Sequence, residues 1–355
     1  MQRLKRVGLW ALAVLVAATA LGAVYQRAMT ARDAERFPMP GRLVDIGGRG
    51  LHLYCTGSGP VTVVLENGLG ANYTSWLVVQ PRVAELTRVC SYDRAGMGWS
   101  DPAPNPTDAE HVSNDLAALL AAARIDAPYV LVGWSAGGVF VRRFLHEHPA
   151  GVVGMLLVDS SHEQQRDRLP KPPAGADFER DSARLLALCE VFAWTGAVRL
   201  SGAIEKMSLQ SKLPDDVRKA QVAMMSRTGA CRGMAHEMAG FPADITSARA
   251  PASLGDLPLV VLSRGRPMRA EDFGGAPVSA DYLKTADAVW ATLQDELAAL
   301  STRSTHTTIA ESGHMIPFDA PDAVVAGVRQ LLQTASESAT REPSAAASVS
   351  PSGPE

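Results

Sequence analysis

A single serine, Ser135, stands where an apolar strand meets a helix, in the segment GWSAG (133–137). Residues 129–132 read YVLV, which is typical of a buried strand, and a helical pattern begins at about residue 139. A strand that turns into a helix within a residue or two needs glycines, because a Cβ at either flank would collide with neighbouring backbone. This turn would lift the serine hydroxyl above the sheet, where the Ala136 amide and the helix dipole can stabilise an oxyanion. The segment therefore predicts a nucleophilic serine.

The elements that position this serine alternate between strands and helices. A hairpin is predicted over 42–57, followed by strands at 61–66, 88–93, 129–133, 152–159, 257–263 and 305–310. Helices are predicted at 75–86, 108–123, 139–147, 281–300 and 321–333, with a long helical stretch up to about residue 250. The later strands are apolar throughout, which predicts an α/β fold with a mostly parallel sheet covered by helices on both faces. Ligands of such sheets bind at the carboxyl ends of the strands.

The composition is that of a globular protein and excludes some functions. The 355 residues are 46% hydrophobic and 20% charged, with a net charge of −3. No cluster of Lys and Arg lies beyond the first six residues, so a nucleic-acid partner is not expected. The chain has no H-E-x-x-H motif and its cysteines are scattered, so neither a metal nor another cofactor is expected.

Five segments in order, LENGLGANYTSW, SYDRAGMGWSD, GWSAGG, LLVDSS and ESGHMIPFDAPD, resemble those of the α/β-hydrolase superfamily, in its serine hydrolase (esterase- or lipase-like) branch. The resemblance covers about residues 42–333 and implies a mostly parallel eight-stranded sheet. It also implies a core over 42–159 and 256–333, and a helical lid at 160–255 inserted after the sixth strand. Serine members of the family use a nucleophile, an acid and a histidine in that chain order. A serine at the turn disfavours the dehalogenase and epoxide hydrolase branches, which need a carboxylate there.

The family order predicts the other two catalytic groups. His314 follows the last strand and precedes a helix, so we expect it to be the base. Most members place the acid after the strand 257–263, but residues 263–268 contain no carboxylate, and the nearest are Glu271 and Asp272. Some members place the acid one strand earlier, where this chain has Asp159. We expect Asp159 to be the acid and keep Asp272 as the alternative, because an aspartate at the end of a strand can also simply bond to loop amides.

The resemblance also assigns roles to two glycine-containing loops. Asn67-Gly68-Leu69-Gly70 occupies the place of a His-Gly-like pair, which predicts that the amides of Leu69 and Ala136 form the oxyanion hole. Asp93 and Arg94, in the segment SYDRAGMGWSD, are expected to be structural and to tie their loop to its neighbours.

The two termini differ from the predicted core. Residues 7–24 carry no charge and follow Arg3, Lys5 and Arg6, and as a helix they would be about 27 Å long. Residues 1–27 are therefore predicted to be an inner-membrane anchor or a cleaved signal peptide, with the rest exported to the periplasm or exterior. Residues 334–355 consist mainly of Ala, Ser, Pro and Glu and are predicted to be disordered.

Export would give meaning to the four cysteines. Oxidising conditions and an even count favour disulfides, and we expect the pairs Cys55–Cys90 and Cys189–Cys231. Four small buried thiols are the alternative.

These observations together predict a carboxylic-ester hydrolase that works through a Ser-His-Asp triad and an acyl-enzyme. Within the lid, the apolar segment at 182–200 and several methionines are expected either to pack the lid onto the sheet or to bind an apolar acyl substrate. The alternatives are another serine chemistry on the same fold (an aminopeptidase, a C–C hydrolase or a perhydrolase) and a binding module without catalysis.

Overall fold

The structure, a computed structural model, describes residues 2–102, 108–171, 178–208, 213–247, 253–270 and 278–341. The strands are β1 (Arg42–Asp45), β2 (Gly50–Thr56), β3 (Thr62–Glu66), β4 (Arg88–Tyr92), β5 (Tyr129–Trp134), β6 (Val152–Val158), β7 (Leu259–Arg264) and β8 (Ser304–Ile309). The helices are α1 (Gln2–Arg36), α2 (Gln80–Ala84), α3 (Ala109–Ala123), α4 (Gly137–Glu147), α5 (Gln165–Arg168), α6 (Phe178–Ala193), α7 (Ala197–Leu200), α8 (Ala203–Ser208), α9 (Asp215–Met225), α10 (Ala230–Ser247), α11 (Ala280–Ala298), α12 (Ile316–Asp319) and α13 (Pro321–Arg341).

The eight strands form one sheet in the order β1-β2-β4-β3-β5-β6-β7-β8. The pairs β1–β2 and β2–β4 are antiparallel, and every later pair is parallel. The expectation of a mostly parallel, eight-stranded sheet in an α/β fold is therefore confirmed. Because β3, β5, β6 and β7 run in the same direction, their carboxyl ends meet at one edge of the sheet.

Helices cover both faces of this sheet, and the strands alternate their side chains between two cores. In β5, Leu131 packs in a cluster that includes α3 and α4, whereas Val130 and Val132 pack in a second cluster that includes α2 and α13. Both faces of the strand are thus buried, which explains its uninterrupted apolar sequence. β5 pairs with β3 on one side and with β6 on the other, which fixes the position of the turn that follows it.

The prediction of one helix over 75–86 is wrong. The structure has a 3₁₀ turn at Tyr73–Trp76 and then the short helix α2, which begins with Pro81 among its first residues. Proline has no N–H to bond to the preceding turn, so a helix begins at this point instead of continuing through it.

Both ends of the chain are more helical than expected. α1 extends well beyond residues 7–24 and is long and apolar enough to cross a membrane, by length and composition. α13 continues to Arg341, so residues 334–341 are helical, contrary to the expected disorder. Residues 342–355 lie outside the described residues.

Between β6 and β7 the chain forms α5 to α10, which we call the insertion (residues 160–255). The expected cysteine partners are joined. Cys55 lies opposite Cys90 in the antiparallel β2–β4 pair, and Cys189 in α6 is bonded to Cys231 in α10.

Candidate active site

Ser135 occupies the sharp turn between β5 and α4. Its backbone has a φ of 55°, a left-handed conformation that is strained for a serine. A Cβ at Gly133 would lie 2.6 Å from the Gly137 carbonyl oxygen, and a Cβ at Gly137 would lie 2.6 Å from the Glu66 carbonyl oxygen. The neighbouring strand holds the turn through the Ser135 amide, which donates to the Val158 carbonyl at 3.0 Å. Both glycines are therefore required sterically, as the sequence indicates.

His314 lies on the loop between β8 and α12 and reaches back to this turn. Its Nε2 is 2.9 Å from Ser135 Oγ, and its Nδ1 is 2.6 Å from Asp159 Oδ2. Trp134, the last residue of β5, donates from its indole Nε1 to the His314 carbonyl at 2.9 Å. The loop that carries the imidazole is thus bonded directly to the strand that precedes the serine.

Asp159 follows β6, and its carboxylate is completely buried. Its amide donates to the Leu262 carbonyl at 2.6 Å, which keeps the residue beside the end of β7. Burial by itself would raise the pKa of Asp159, but the hydrogen bond and charge of His314, with further help from Arg264 and Trp290, hold that pKa below its ordinary value. Asp159 is therefore ionised at neutral pH and can hold an imidazolium.

The structure brings Ser135, His314 and Asp159 together, and the alternative acid Asp272 lies outside the described residues.

Two residues that support Asp159 were missed by sequence reasoning. Trp290 of α11 donates from Nε1 to Asp159 Oδ1 at 2.9 Å. Arg264 bonds to the carboxylate through its amide at 3.1 Å and its guanidinium at 3.3 Å, and that guanidinium stacks 4.7 Å from the Trp290 ring centroid. One signal was available in the sequence: a cation, Arg264, ends the strand at which the family resemblance led us to look for an acid.

Both predicted oxyanion donors are near the serine, because Ala136 follows Ser135 directly and a Cβ at Gly68, the residue before Leu69, would lie 3.3 Å from Ser135 Cβ. In the part of the chain that the structure describes, neither the Leu69 nor the Ala136 amide donates to another protein group. Beside them, Ala136 and Phe140 form a small apolar cluster with the partly buried Leu69 and Phe241. This region combines available N–H donors with an apolar wall, as a site for an acyl group requires.

Arg94 braces the loop that carries Leu69. Its guanidinium donates to the carbonyls of Asn67 at 2.8 Å and Gly68 at 2.7 Å. It also forms buried ion pairs with Glu66 of β3 and Glu237 of α10. Burial raises the pKa of Glu66, and the charge of Arg94 offsets part of that rise.

Glu237 supports the same loop on the other side of Leu69, because its Oε2 accepts the Gly70 amide at 2.7 Å. Asp93 is bonded to His52 Nδ1 at 2.7 Å and to the Tyr73 and Trp99 amides. Both residues of the Asp93-Arg94 pair thus tie loops together.

The predicted use of the insertion's apolar residues is only partly right. Met224 is buried, and Met234 packs against Gly70. By contrast, the large apolar side chains of the segment 182–200 are mostly exposed and do not pack on the sheet. Within the described ranges, no group of three or more His, Cys, Asp and Glu side chains is arranged to hold a metal ion.

Comparisons with known proteins agree with this architecture. The sequence model of the family described as "Alpha/beta hydrolase family" matches residues 63–327. The uncharacterized protein YqjL of Bacillus subtilis is 24% identical over 268 residues, which cover 76% of this chain and 82% of YqjL. A thermophilic esterase from Thermogutta terrifontis superposes with a TM-score of 0.56 at 20% identity, over 82% of this chain and 97% of the esterase, a likeness in fold.

A further relative is much longer than this chain. An uncharacterized vacuolar membrane protein of Saccharomyces cerevisiae is 34% identical over 108 residues, which cover 30% of this chain and 17% of that protein. The chain spans a fifth or less of the length of this and other fungal relatives.

Proposed function

The chain belongs to the alpha/beta hydrolase family, and from this premise we propose that it is a serine hydrolase that cleaves a carboxylic ester. The observation that carries the proposal is the continuous path of hydrogen bonds from Ser135 Oγ through His314 to Asp159. Distances of 2.9 Å and 2.6 Å are those at which a hydroxyl proton passes to an imidazole that a carboxylate orients.

In the proposed reaction Ser135 Oγ attacks the carbonyl carbon of the ester while His314 Nε2 takes the hydroxyl proton. The amides of Leu69 and Ala136 stabilise the negative oxygen of the tetrahedral intermediate. When this intermediate collapses, His314 returns the proton to the leaving alcohol, and an acyl-enzyme remains on Ser135. A water molecule, deprotonated by His314, then attacks the acyl-enzyme, and the acid is released as His314 returns the proton to Ser135 Oγ.

Asp159 holds Nδ1–H of His314 and so fixes the tautomer in which Nε2 can accept a proton. The apolar cluster of Phe140, Phe241 and Leu69 supports an apolar acyl group as the substrate class.

A series of p-nitrophenyl esters from acetate to dodecanoate tests this proposal. We expect turnover by the wild type and a loss of about 10⁶-fold in kcat for Ser135→Ala, as for serine nucleophiles elsewhere. A fluorophosphonate should add to the peptide that contains Ser135 and not to Ser135→Ala. Ser338→Ala, an exposed serine on α13, is the matched control and should behave like the wild type. Unchanged turnover in Ser135→Ala would refute the mechanism.

We also propose that α1 is retained as a membrane anchor and that the rest of the chain lies outside the inner membrane. The basic residues Arg3, Lys5 and Arg6 would stay in the cytoplasm. Cleavage after Ala23 would remove Gly22, which packs closely on the Thr195 backbone, and cleavage after Ala20 would leave Gly22 as the second residue of a frayed terminus. N-terminal sequencing of the protein in washed membranes should find the uncleaved start. A soluble product that begins near residue 21 or 24 would instead identify residues 1–27 as a signal peptide.

A further inference from the structure

The insertion carries six large apolar side chains that the described residues leave about half exposed or more. Each is between 47% and 67% exposed, and we call them the apolar patch: Leu185, Leu188, Val191, Phe192, Trp194 and Leu200. Along α6 the spacing of positions 185, 188 and 192 places them on one helix face. A group of this size rarely faces water in a soluble protein, and it marks a surface that binds something apolar.

The loop next to the patch is packed against α1. A Cβ at Gly22 would overlap the Thr195 carbonyl, and one at Gly196 would lie 3.0 Å from the Gly22 carbonyl oxygen. Farther along α1, the buried Gln26 donates to the Ser226 carbonyl at 2.8 Å, and Asp33 pairs with Arg199 at 2.7 Å. The second half of α1 is thus fixed to the insertion by backbone contact, a buried hydrogen bond and an ion pair.

These contacts set the level of the patch along α1. Gly22 lies in the last turn of the uncharged stretch 7–24, the part of α1 that requires an apolar environment. Leu21 and Val24, beside the contact, are 71% and 65% exposed. The loop at 194–196 therefore lies at the level where the apolar length of α1 ends, and Trp194 of the patch directly precedes the Thr195 that contacts Gly22.

We propose that the apolar patch is inserted into the outer lipid interface of the membrane that α1 spans. The proposal rests on the proposed anchoring by α1, because that helix fixes the height of the patch. A bilayer fits better than a protein partner, since the patch adjoins a helix surface that itself needs lipid. Tryptophan and phenylalanine are also the residues expected at the boundary between acyl chains and headgroups. The insertion, which touches the oxyanion loop through Met234 and Glu237, is thereby held against the membrane.

Quenching of tryptophan fluorescence by brominated lipid tests the proposal without relying on activity. The full chain is placed in nanodiscs of phosphatidylcholine and phosphatidylglycerol, with or without dibrominated acyl chains. The emission of one tryptophan is obtained as the difference between the wild type and its Trp→Phe variant. We expect brominated lipid to quench the emission of Trp194 and of Trp10 in α1 at least twofold, and to leave that of Trp99 unchanged.

Each other outcome is decisive. If Trp10 is quenched and Trp194 is not, the patch does not enter lipid, although the anchor is correct. If neither is quenched, the proposed anchor fails as well. If the mass of the nanodiscs shows two copies of the chain in each and Trp194 is not quenched, a second copy covers the patch and the proposal is wrong.

A charge placed in the patch provides a second test. In the double variant Leu188→Glu and Phe192→Glu, the quenching of Trp194 by brominated lipid should fall by at least half, because carboxylates resist entry into the interface. Leu43→Glu, at a 46% exposed leucine on β1, is the matched control and should leave the quenching unchanged. If brominated lipid quenches Trp194 equally in the double variant and in the wild type, α1 alone brings Trp194 close to lipid, and insertion of the patch is refuted.

Discussion

The indole Nε1 of Trp290 donates a hydrogen bond to Asp159 Oδ1 at 2.9 Å, between residues 131 positions apart in the chain. The other carboxylate oxygen, Oδ2, is 2.6 Å from His314 Nδ1. The Trp290 ring also packs edge-on to the imidazole, with centroids 6.2 Å apart. One side chain of α11 therefore supports both the carboxylate and the histidine.

Replacing Trp290 by Phe should remove this donor and keep the ring. We expect kcat to fall about 10-fold, the order of magnitude for one hydrogen bond to a charged group. The acidic limb of the pH profile of kcat/KM should also change, because the Trp290 hydrogen bond helps to hold the pKa of Asp159 below its ordinary value and its loss should raise that pKa. Trp99→Phe is the control and should leave the profile in place. An unchanged profile for Trp290→Phe would mean that the indole only fills space.

The choice of acid predicts a contrast between two asparagine variants. Asp159→Asn should lower kcat/KM about 10⁴-fold, because an amide at this position favours the wrong imidazole tautomer. Asp272→Asn should retain wild-type kinetics with p-nitrophenyl butyrate. The reverse pattern would transfer the role of the acid to Asp272.

Glu237→Gln should weaken the support of the oxyanion loop. The two carboxylate oxygens accept three hydrogen bonds, from Arg94 Nε at 2.6 Å, from Arg94 Nη2 at 2.9 Å and from the Gly70 amide at 2.7 Å. A glutamine has one accepting oxygen and an NH2 group that would face a donor, so it cannot keep all three. We expect kcat to fall about 10-fold with little change in KM, because the oxyanion donor acts mainly in the transition state. Glu190→Gln, in the exposed pair with Arg232, is the control and should have no measurable effect. A rise in KM alone would contradict this role.

The raised pKa of Asp244 should make the stability of the folded protein depend on pH. Burial raises the pKa of Asp244 from 3.8 to about 7, even though its Oδ1 accepts the Ala109 amide at 2.6 Å. Between these two pKa values the folded chain binds more protons than the unfolded chain, so this group lowers stability as pH rises from about 4 to about 7.

Asp244→Asn should therefore stabilise the protein at pH 8, by the order of 1 kcal/mol, and have little effect at pH 4. Urea unfolding at both pH values measures the difference, with the exposed Asp126→Asn as control. Equal effects of Asp244→Asn at the two pH values would show that its carboxyl titrates normally.

The disulfides predict two cross-linked peptides. Digestion of the protein without reductant should yield the peptide of Cys55 joined to that of Cys90, and the peptide of Cys189 joined to that of Cys231. Alkylation of the native protein should label no cysteine. Labelled Cys55 and Cys90 would count against export.

The serine turn and the histidine could be predicted because each depends on local signals. Gly133 and Gly137 are needed for a turn only a few residues long, and His314 follows the last strand directly. The acid was harder to predict, because Asp159 and Asp272 follow neighbouring strands and only the folded chain shows which carboxylate reaches His314.

The support of the site could not be read from the sequence. Trp290 and Arg264 contact Asp159 across 131 and 105 residues, and no local pattern records such a contact. The outward direction of the apolar side chains in α6 was missed for a similar reason. An apolar helix face looks the same in sequence whether protein or lipid covers it.

Arg94 binds both the loop after β3 and Glu237 of α10, and these contacts limit how a substrate can enter the site. Pulling α10 away would leave a guanidinium and the Glu66 carboxylate stranded in the interior, which costs several kcal/mol. We therefore expect α10 to stay in place when a substrate enters. A movement that opens the site would have to involve the other helices of the insertion. In the described part of the chain, those helices form no buried ion pair with the loops at the sheet edge like that of Glu237 with Arg94.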